Sequence, residues 1–207
     1  MSITDRLASS LSRNDEEPNI LVAQQIVKNK DADGVKELIN NIKSASKAIR
    51  HDSIKVLYEV GDRKPELIAN YTNVFIDLLV SKDNRMQWGA MTCLASIAKV
   101  NPAELYKHID MLEKAANVGS VITRDNYIRL LVNIARVTEC YDEATQKILM
   151  QLLSAPENQL PMYAEMVKDA FQPNDTKQFT EVLKERLSKI SKESRIKRIQ
   201  KVINLAA

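Results

Sequence analysis

The side chains that most often act in catalysis are few in this chain and stand far apart. Its two histidines, His51 and His108, fall in different predicted helices, so the sequence pairs neither with a nucleophile. Acidic pairs such as Asp142-Glu143 stand at predicted helix starts, where carboxylates stabilise the helix dipole without any chemistry. Gly-rich phosphate loops, nucleophile elbows and paired-histidine metalloprotease motifs are absent from the sequence. We therefore expect no catalytic residue, no cofactor and no enzyme activity.

The cysteines and the N-terminal residues indicate a cytoplasmic protein without a metal. Cys93 and Cys140 lie in or at the end of predicted helices and lack the Cys-x-x-Cys spacing of a zinc site, so we expect reduced packing residues. Asp5 and Arg6 interrupt the first residues, which therefore lack the apolar core of a secretory signal. Elsewhere the apolar runs are shorter than the roughly 20 residues that span a bilayer.

The composition favours helices over strands. The 207 residues include only 4 Gly, 6 Pro and 5% aromatic residues, which are few for a β-sandwich or an α/β enzyme. Leu, Ile, Ala, Lys, Glu and Gln are abundant, and most of these are good helix formers. We therefore expect an all-α chain.

A repeat of 37 residues runs through the sequence. At that offset Leu57, Leu94 and Leu131 fall in one column, and each begins a similar seven-residue segment. Two further apolar columns are Leu38, Phe75, Leu112, Leu149 and Ile42, Leu79, Ala116, Leu153. A repeat of about 20 to 50 residues is the sequence signature of stacked units. The repeat predicts antiparallel helix pairs that each bury an apolar side against the next pair.

Helix boundaries follow from the repeat and from capping residues. Pro65 and Pro102 stand where a first helical turn tolerates a missing N–H, and Asp31 and Asp83 are placed to cap helix starts. About twelve helices result. They are predicted over residues 2–13, 17–29, 32–44, 46–62, 65–81, 84–100, 103–117, 119–138, 141–154, 158–171, 176–190 and 192–205.

The second helix of each pair resembles the HEAT-repeat pattern of an apolar residue, Arg, a small residue, Leu and another aliphatic residue. The three copies carry Ile49, Arg50, Ser53, Leu57 and Val60; then Ala90, Leu94 and Ile97; then Arg124, Leu131 and Ile134, with Tyr127 at the small position. The resemblance to HEAT/armadillo repeats covers about residues 30–175. It implies a right-handed α-solenoid of stacked antiparallel helix pairs and leaves the activity open.

We expect the chain to form one domain over residues 1–207. An N-terminal cap covers about residues 1–30, the repeats about 31–175, and basic C-terminal capping helices about 176–207. A four-helix bundle is the alternative all-α architecture, but it would not require the 37-residue register.

One side of the predicted second helices is polar. At spacings of four, four and three residues it carries His51, Lys55, Glu59, Asp62; then Trp88, Thr92, Ser96, Lys99; then Asp125, Arg129, Asn133, Arg136. These spacings put each set on one side of its helix. The resemblance implies that this side is the concave, partner-facing one. We hypothesise an exposed ridge for an acidic or phosphate-bearing partner, formed by Trp88, Thr92, Lys99, Arg129, Asn133 and Arg136.

Two simpler interpretations of this ridge remain open. A polar stripe is also the ordinary solvent face of a surface helix. Trp88, the single tryptophan, can equally cover the end of a neighbouring helix.

The C-terminal segment is the second candidate surface. Its basic residues are Lys184, Arg186, Lys189, Lys192, Arg195, Lys197, Arg198 and Lys201. With Glu185 and Glu193 the segment has a net charge of +6, whereas the whole chain has +3. Such asymmetry is typical of a contact with nucleic acid, an anionic membrane surface or an acidic protein. The alternative is a capping helix whose outer side must be polar.

These observations predict a non-enzymatic interaction module that binds another protein through its concave helix face. The alternative is a nucleic-acid-binding HEAT solenoid. One such group is the bacterial alkylpurine DNA glycosylases, which are HEAT-like solenoids and which this chain resembles in size. Those enzymes depend on several aromatic residues with an Asp and an Arg, whereas this chain has one Trp and a nearly neutral charge. A concave face of mixed charge, not continuously positive over several repeats, would reject the glycosylase resemblance.

Overall fold

The computed structural model describes residues 2–206, which contain twelve α-helices and no β-strand. The helices are α1 Glu17–Asn29, α2 Ala32–Asn41, α3 Lys47–Arg63, α4 Thr72–Leu78, α5 Asn84–Ile97, α6 Pro102–Tyr106, α7 Ile109–Val118, α8 Val121–Ile134, α9 Tyr141–Ser154, α10 Leu160–Val167, α11 Thr176–Leu187 and α12 Glu193–Ala206. Short 3₁₀ turns occupy Thr4–Arg6, Pro65–Leu67, Ala69–Tyr71, Thr138–Cys140 and Lys168–Ala170.

The chain divides into two compact units, Met1–Tyr127 and Ile128–Ala207, with the boundary inside α8. Each unit has its own buried apolar residues and is described separately below. The boundaries expected for a single domain and its caps stay a prediction, and its end residues 1 and 207 lie outside the described residues.

In the first unit, α3 packs against α1 on one side and against α5 on the other. The helices α2 and α4 pack against α3 and α5, which gives the antiparallel pairs that the repeat predicts. Leu57 and Leu94 are fully buried on α3 and α5. The two helices approach closely at Gly89, where an added Cβ would lie 2.6 Å from Cγ1 of Ile54. A larger residue here would force Ile54 or the helix to shift, so the close approach favours glycine.

In the second unit, α9 packs against α10 and α11, and α12 packs against α10 and α11. Leu131 is fully buried, and Phe171 stacks on Phe179 with ring centroids 4.6 Å apart. The predicted apolar column of Ile42, Leu79, Ala116 and Leu153 was wrong at Leu153. That residue is 38% exposed, whereas the preceding Leu152 is buried. One residue turns a helix by about 100°, so α9 faces its core through Leu152.

The predicted helices over residues 2–13 and 65–81 did not form as continuous α-helices. Residues 2–13 contain only the 3₁₀ turn Thr4–Arg6, and Ser12 has a positive φ of 56°. The serines of this segment compete for backbone hydrogen bonds and disfavour helix. Residues 65–81 form two 3₁₀ turns before α4, and Thr72 Oγ1 donates to the carbonyl of Ala69 at 2.8 Å. That side-chain bond marks the change from 3₁₀ turn to α-helix.

About twelve helices were predicted and residues 2–206 contain twelve, but they are not the same twelve. The predicted helix 103–117 is divided into α6 and α7 at Lys107 and His108, while the predicted N-terminal helix is lost. By contrast, α1 and α9 have the predicted bounds. Their ends were signalled locally, by Pro18 in the first turn of α1 and by Asp142 and Glu143 in the first turn of α9.

Candidate partner-binding surface

The candidate surface of the first unit is the polar side of α3 and α5, here called the α3/α5 stripe. Its residues are His51, Lys55, Glu59, Asp62, Trp88, Thr92, Ser96 and Lys99. Ser46 caps α3 by accepting the Ile49 N–H at 3.4 Å, and Asp83 caps α5 by accepting the Arg85 N–H at 3.1 Å. These caps fix the helix starts and with them the direction of the stripe residues.

Trp88 is half-buried and held on two sides. Its ring centroid lies 5.6 Å from that of Tyr58 at an interplanar angle of 48°, a tilted aromatic pair. The guanidinium carbon of Arg85 lies 5.8 Å from the Trp88 ring, within cation–π range. Trp88 is therefore neither a core residue nor a free surface side chain. It is a rigid aromatic group with part of its surface accessible.

Lys55, predicted to lie on the solvent side, is instead buried in an ion network. Only 8% of its side chain is exposed, and Nζ lies 2.9 Å from Oε2 of Glu16 and 2.8 Å from Oε1 of Glu59. The same ammonium lies 4.8 Å from the Tyr58 ring centroid. Burial lowers the pKa of Lys55, but the bonds to Glu59 and Glu16 outweigh it and hold the pKa above its usual range. Lys55 thus stays charged.

Glu16 connects three helices at this surface. It stands at the start of α1, and Oε1 lies 2.7 Å from Nη2 of Arg85 while Oε2 contacts Lys55. The stripe therefore has mixed charge in the first unit, with acids directly beside the cations. This mixed charge disfavours the glycosylase alternative in the first unit.

The remaining predicted residues of α5 differ in their access to solvent. Thr92 is half-buried, donates to the Trp88 carbonyl at 2.8 Å and accepts from Nδ2 of Asn126 at 3.0 Å. Ser96 is buried, whereas Lys99 is exposed and lies 3.4 Å from the Asp62 carboxylate. Among these predicted residues, the side chains most available to a partner are therefore Trp88 on α5 and Lys99, two residues after the end of α5.

The other three predicted residues belong to the second unit. Asn133 donates to the Arg129 carbonyl at 2.9 Å and accepts from Nη1 of Arg136 at 3.2 Å. Arg136 is exposed and lines a cavity of about 300 Å³ together with Tyr141 and Phe171. As a continuous ridge over both units, the six residues stay a prediction.

Most cations of the C-terminal basic face have intramolecular partners. Arg186 donates to the carbonyls of Leu153 and Ala155, at the C-terminal end of α9. The other contacts are Arg195–Glu157 at 2.9 Å, Arg198–Glu165 at 2.6 Å, Lys189–Glu185 at 3.2 Å and Lys197–Glu193 at 2.7 Å. Lys184, Lys192 and Lys201 are exposed.

These pairs reduce the charge of the C-terminal face, because Glu157 and Glu165 come from outside the basic segment. The apolar side of the same helices is buried, with Leu183, Ile199 and Ile203 at most 7% exposed. Both observations favour a capping role over a dedicated contact with nucleic acid.

Sequence reasoning missed Glu16, Tyr58, Arg85 and Asn126. Tyr58 and Arg85 stand three residues from Lys55 and Trp88, so helical spacing alone could have added them to the stripe. Glu16 and Asn126 reach the stripe by tertiary packing, for which the sequence gives no local signal.

The two histidines lie in different surroundings, His51 on α3 and His108 just before α7. His51 Nε2 lies 2.8 Å from Oδ2 of Asp83, and His108 is half-buried at the start of α7. Among residues 2–206, no three His, Cys, Asp or Glu side chains come together as metal ligands. In the same range, no helix combines the length and apolar character needed to cross a bilayer.

The paired helices and their stacking define an armadillo/HEAT-type helical-repeat protein, and solved structures of that class are similar to it. A designed armadillo repeat protein in complex with the peptide (KR)4 has a TM-score of 0.67 at 15% identity, over 90% of this chain and 86% of that chain. An engineered protein has a TM-score of 0.64 at 20% identity, over 100% of this chain and 97% of that chain. A computationally designed armadillo repeat protein for modular peptide recognition has 0.63 at 16%, over 99% and 98%. At these identities the likeness concerns the fold, and it confirms the predicted fold class.

The chain belongs to the family described as Protein of unknown function (DUF1617), whose model matches residues 23–166. A search of curated proteins found no match. None of these comparisons carries an enzymatic signal.

Proposed function

We propose that the chain is a non-enzymatic interaction module that binds a protein partner through the α3/α5 stripe. Its fold is similar to that of an armadillo repeat protein designed for modular peptide recognition and of another in complex with the peptide (KR)4. The observation that carries the proposal is Trp88, a partly accessible indole held between Tyr58 and Arg85. Rigid aromatic groups at the centre of a surface are the usual anchors of protein interfaces.

The surroundings of Trp88 favour a partner with both apolar and charged groups. The ion pairs of Lys55 with Glu16 and Glu59 already hold these side chains in place. Little side-chain entropy is therefore lost when a partner binds there. Exposed Lys99, with Asp62 beside it, provides a polar rim. The acids within the stripe disfavour a polyanion, so we do not extend the proposal to nucleic acid.

The proposal includes a cytoplasmic location. Cys93 and Cys140 are free thiols and both are buried, which is compatible with a reducing compartment.

The experiment is affinity purification from the native host with wild-type, Trp88→Ala and Tyr71→Ala baits, treated with nuclease before elution. Tyr71 is a matched control, because it is also half-buried but stands before α4 and outside the stripe. A protein captured by the wild-type and Tyr71→Ala baits is then purified and titrated against all three chains. We expect Trp88→Ala to weaken binding by at least about 30-fold, the scale of an interface anchor.

Two outcomes would contradict the proposal. Trp88→Ala could lower the melting temperature while leaving affinity unchanged, which would make Trp88 a packing residue. Loss of all partners after nuclease treatment would indicate that nucleic acid mediates the contact. Trp88→Phe separates packing from binding, because it keeps an aromatic ring and removes the indole N–H.

A further inference from the structure

A basic cavity lies at the first turns of α3 and α5, beside the α3/α5 stripe. It is a shallow depression that is widely open to solvent, with a volume of about 540 Å³, and the cationic side chains that line it are Lys47, Arg50, Lys82 and Arg85. They come from two consecutive helical pairs, so the cavity exists only when those pairs stack. Both helices begin here, and the positive end of a helix dipole adds to the attraction for an anion.

The lining holds four cations and the carboxylate of Asp83, and one of the cations, Arg85, is already paired with Glu16 at 2.7 Å. Asp83 Oδ2 lies 2.8 Å from His51 Nε2, and Oδ1 accepts the Arg85 N–H at 3.1 Å. The ionised Asp83 therefore holds His51, caps α5 and offsets one positive charge of the lining, which remains cationic overall. Within residues 2–206, Lys47 and Lys82 have no ion-pair partner, in contrast to most cations of the C-terminal face.

The two arginines retain unused hydrogen-bond donors. Arg50 uses Nη1 for the carbonyls of Ser44 and Ala45, at 2.8 and 3.1 Å. Arg85 uses Nη2 for Glu16, while its Nε is enclosed and has no hydrogen-bond partner among the described residues. The enclosed Nε of Arg85 is out of reach of a ligand, whereas an anion in the cavity would supply acceptors to the donors that Arg50 leaves unused.

The basic lining does not continue into the next repeat. One repeat further along, Lys82, Asn84 and Arg85 are replaced by Gly119, Val121 and Ile122. Val121 and Ile122 are 50% and 46% exposed, so this next position is an apolar surface. A polynucleotide needs a continuous row of cations, whereas a bounded cluster fits one compact, multiply charged anion.

We propose that the basic cavity binds the phosphate of a phosphorylated serine or threonine on the protein partner. A phosphate dianion supplies oxygen acceptors and charge for Lys47, Arg50 and Lys82 more fully than a carboxylate does, while Arg85 stays paired with Glu16. Arg85 joins the two surfaces, because it lines the cavity and lies against Trp88. The choice of a protein-borne phosphate therefore rests on the proposed function.

The test is an NMR titration of the full chain with inorganic phosphate, and with a short peptide in phosphoserine and unmodified forms. We expect inorganic phosphate to shift the amides of Lys47, Arg50, Lys82 and Arg85, and the phosphopeptide to bind at least about tenfold more tightly than its unmodified form. The double variant Lys47→Ala/Lys82→Ala should weaken both interactions at least about tenfold. The matched control Lys36→Ala/Lys43→Ala removes two exposed lysines of the same unit and should change affinity less than about twofold.

Each outcome decides the inference. Absence of shifts at the cavity with inorganic phosphate, or equal binding by the two double variants, would overturn the site. Phosphate binding without discrimination between the two peptides would overturn the protein-borne source, as would tighter binding of a 12-nucleotide single strand than of the phosphopeptide. These measurements use no partner, so failure here is separable from failure of the proposed function.

Discussion

The carboxylate of Glu37 should make the stability of the first unit depend on pH. On α2, it accepts the N–H groups of Ile3 and Thr4 at 3.1 and 2.8 Å, the Thr4 hydroxyl at 2.6 Å and the Ser2 hydroxyl. Burial raises the pKa of Glu37, but the hydrogen bonds from Ser2, Thr4 and Ile3 outweigh it and lower the pKa from 4.5 to about 2. The N-terminal segment is therefore held by the ionised form of one side chain.

The sign and size of the effect follow from linkage. A folded-state pKa below the unfolded value stabilises the protein fully above pH 4.5, and this stabilisation is lost as the pH falls toward 2. The difference between the two values sets a ceiling of about 3 kcal/mol. Because Glu37 is partly exposed and solvent screens it, we expect about 1 to 2 kcal/mol at neutral pH.

The assay is urea unfolding at pH 7 and pH 3, followed by circular dichroism, for the wild type, Glu37→Gln and the control Glu66→Gln. Glu66 is an exposed carboxylate of the same unit. At pH 7 we expect Glu37→Gln to be about 1 to 2 kcal/mol less stable than wild type, with less than half of that difference left at pH 3. Glu66→Gln should follow the wild type at both values.

Equal differences between wild type and Glu37→Gln at both pH values would refute this reasoning. Hydrogen exchange of the Thr4 amide provides a local check, since docking of the segment should slow it at pH 7 in the wild type and not in Glu37→Gln.

Three further predictions concern the core of the first unit. Leu94→Ala should lower the free energy of unfolding by about 2 to 5 kcal/mol, because the side chain is fully buried; a loss below about 1 kcal/mol in urea unfolding would contradict the packing described here. Gly89→Ala should destabilise the chain by about 1 to 2 kcal/mol despite the better helix propensity of Ala, since its Cβ would lie 2.6 Å from Cγ1 of Ile54; a raised melting temperature would show that the helices part without cost. Burial raises the pKa of the Cys93 thiol well above its usual range, so mass spectrometry should find this residue unmodified by a thiol reagent until the chain unfolds, and rapid labelling in the native state would contradict its burial.

The repeat made most of the first unit predictable. Leu57 and Leu94 were assigned to the core from their 37-residue offset, and both are fully buried. Helix ends marked by strong local signals, as in α1 and α9, were correct. The prediction was wrong over residues 2–13, where docking of the segment through Glu37 prevailed over a weak helical pattern.

The candidate surface was predictable only in part. Helical spacing identified the stripe and Trp88, but it also assigned Lys55 to the solvent side, although that residue is buried. The reason is that Glu16 supplies a partner charge from α1, and such a contact across 39 residues leaves no periodic trace in the sequence.

By itself, the sequence determined the all-α class, the repeat length and the residues that face the core, because these depend on local propensity and on the period of apolar side chains. Only the tertiary structure decided which polar residues remain accessible. It buried Lys55 between two carboxylates, paired Arg85 with Glu16, and left Lys47 and Lys82 of the basic cavity without an ion-pair partner among the described residues. Charge pairing depends on distances of a few ångströms between separate helices, and those distances exist only once the helices have packed.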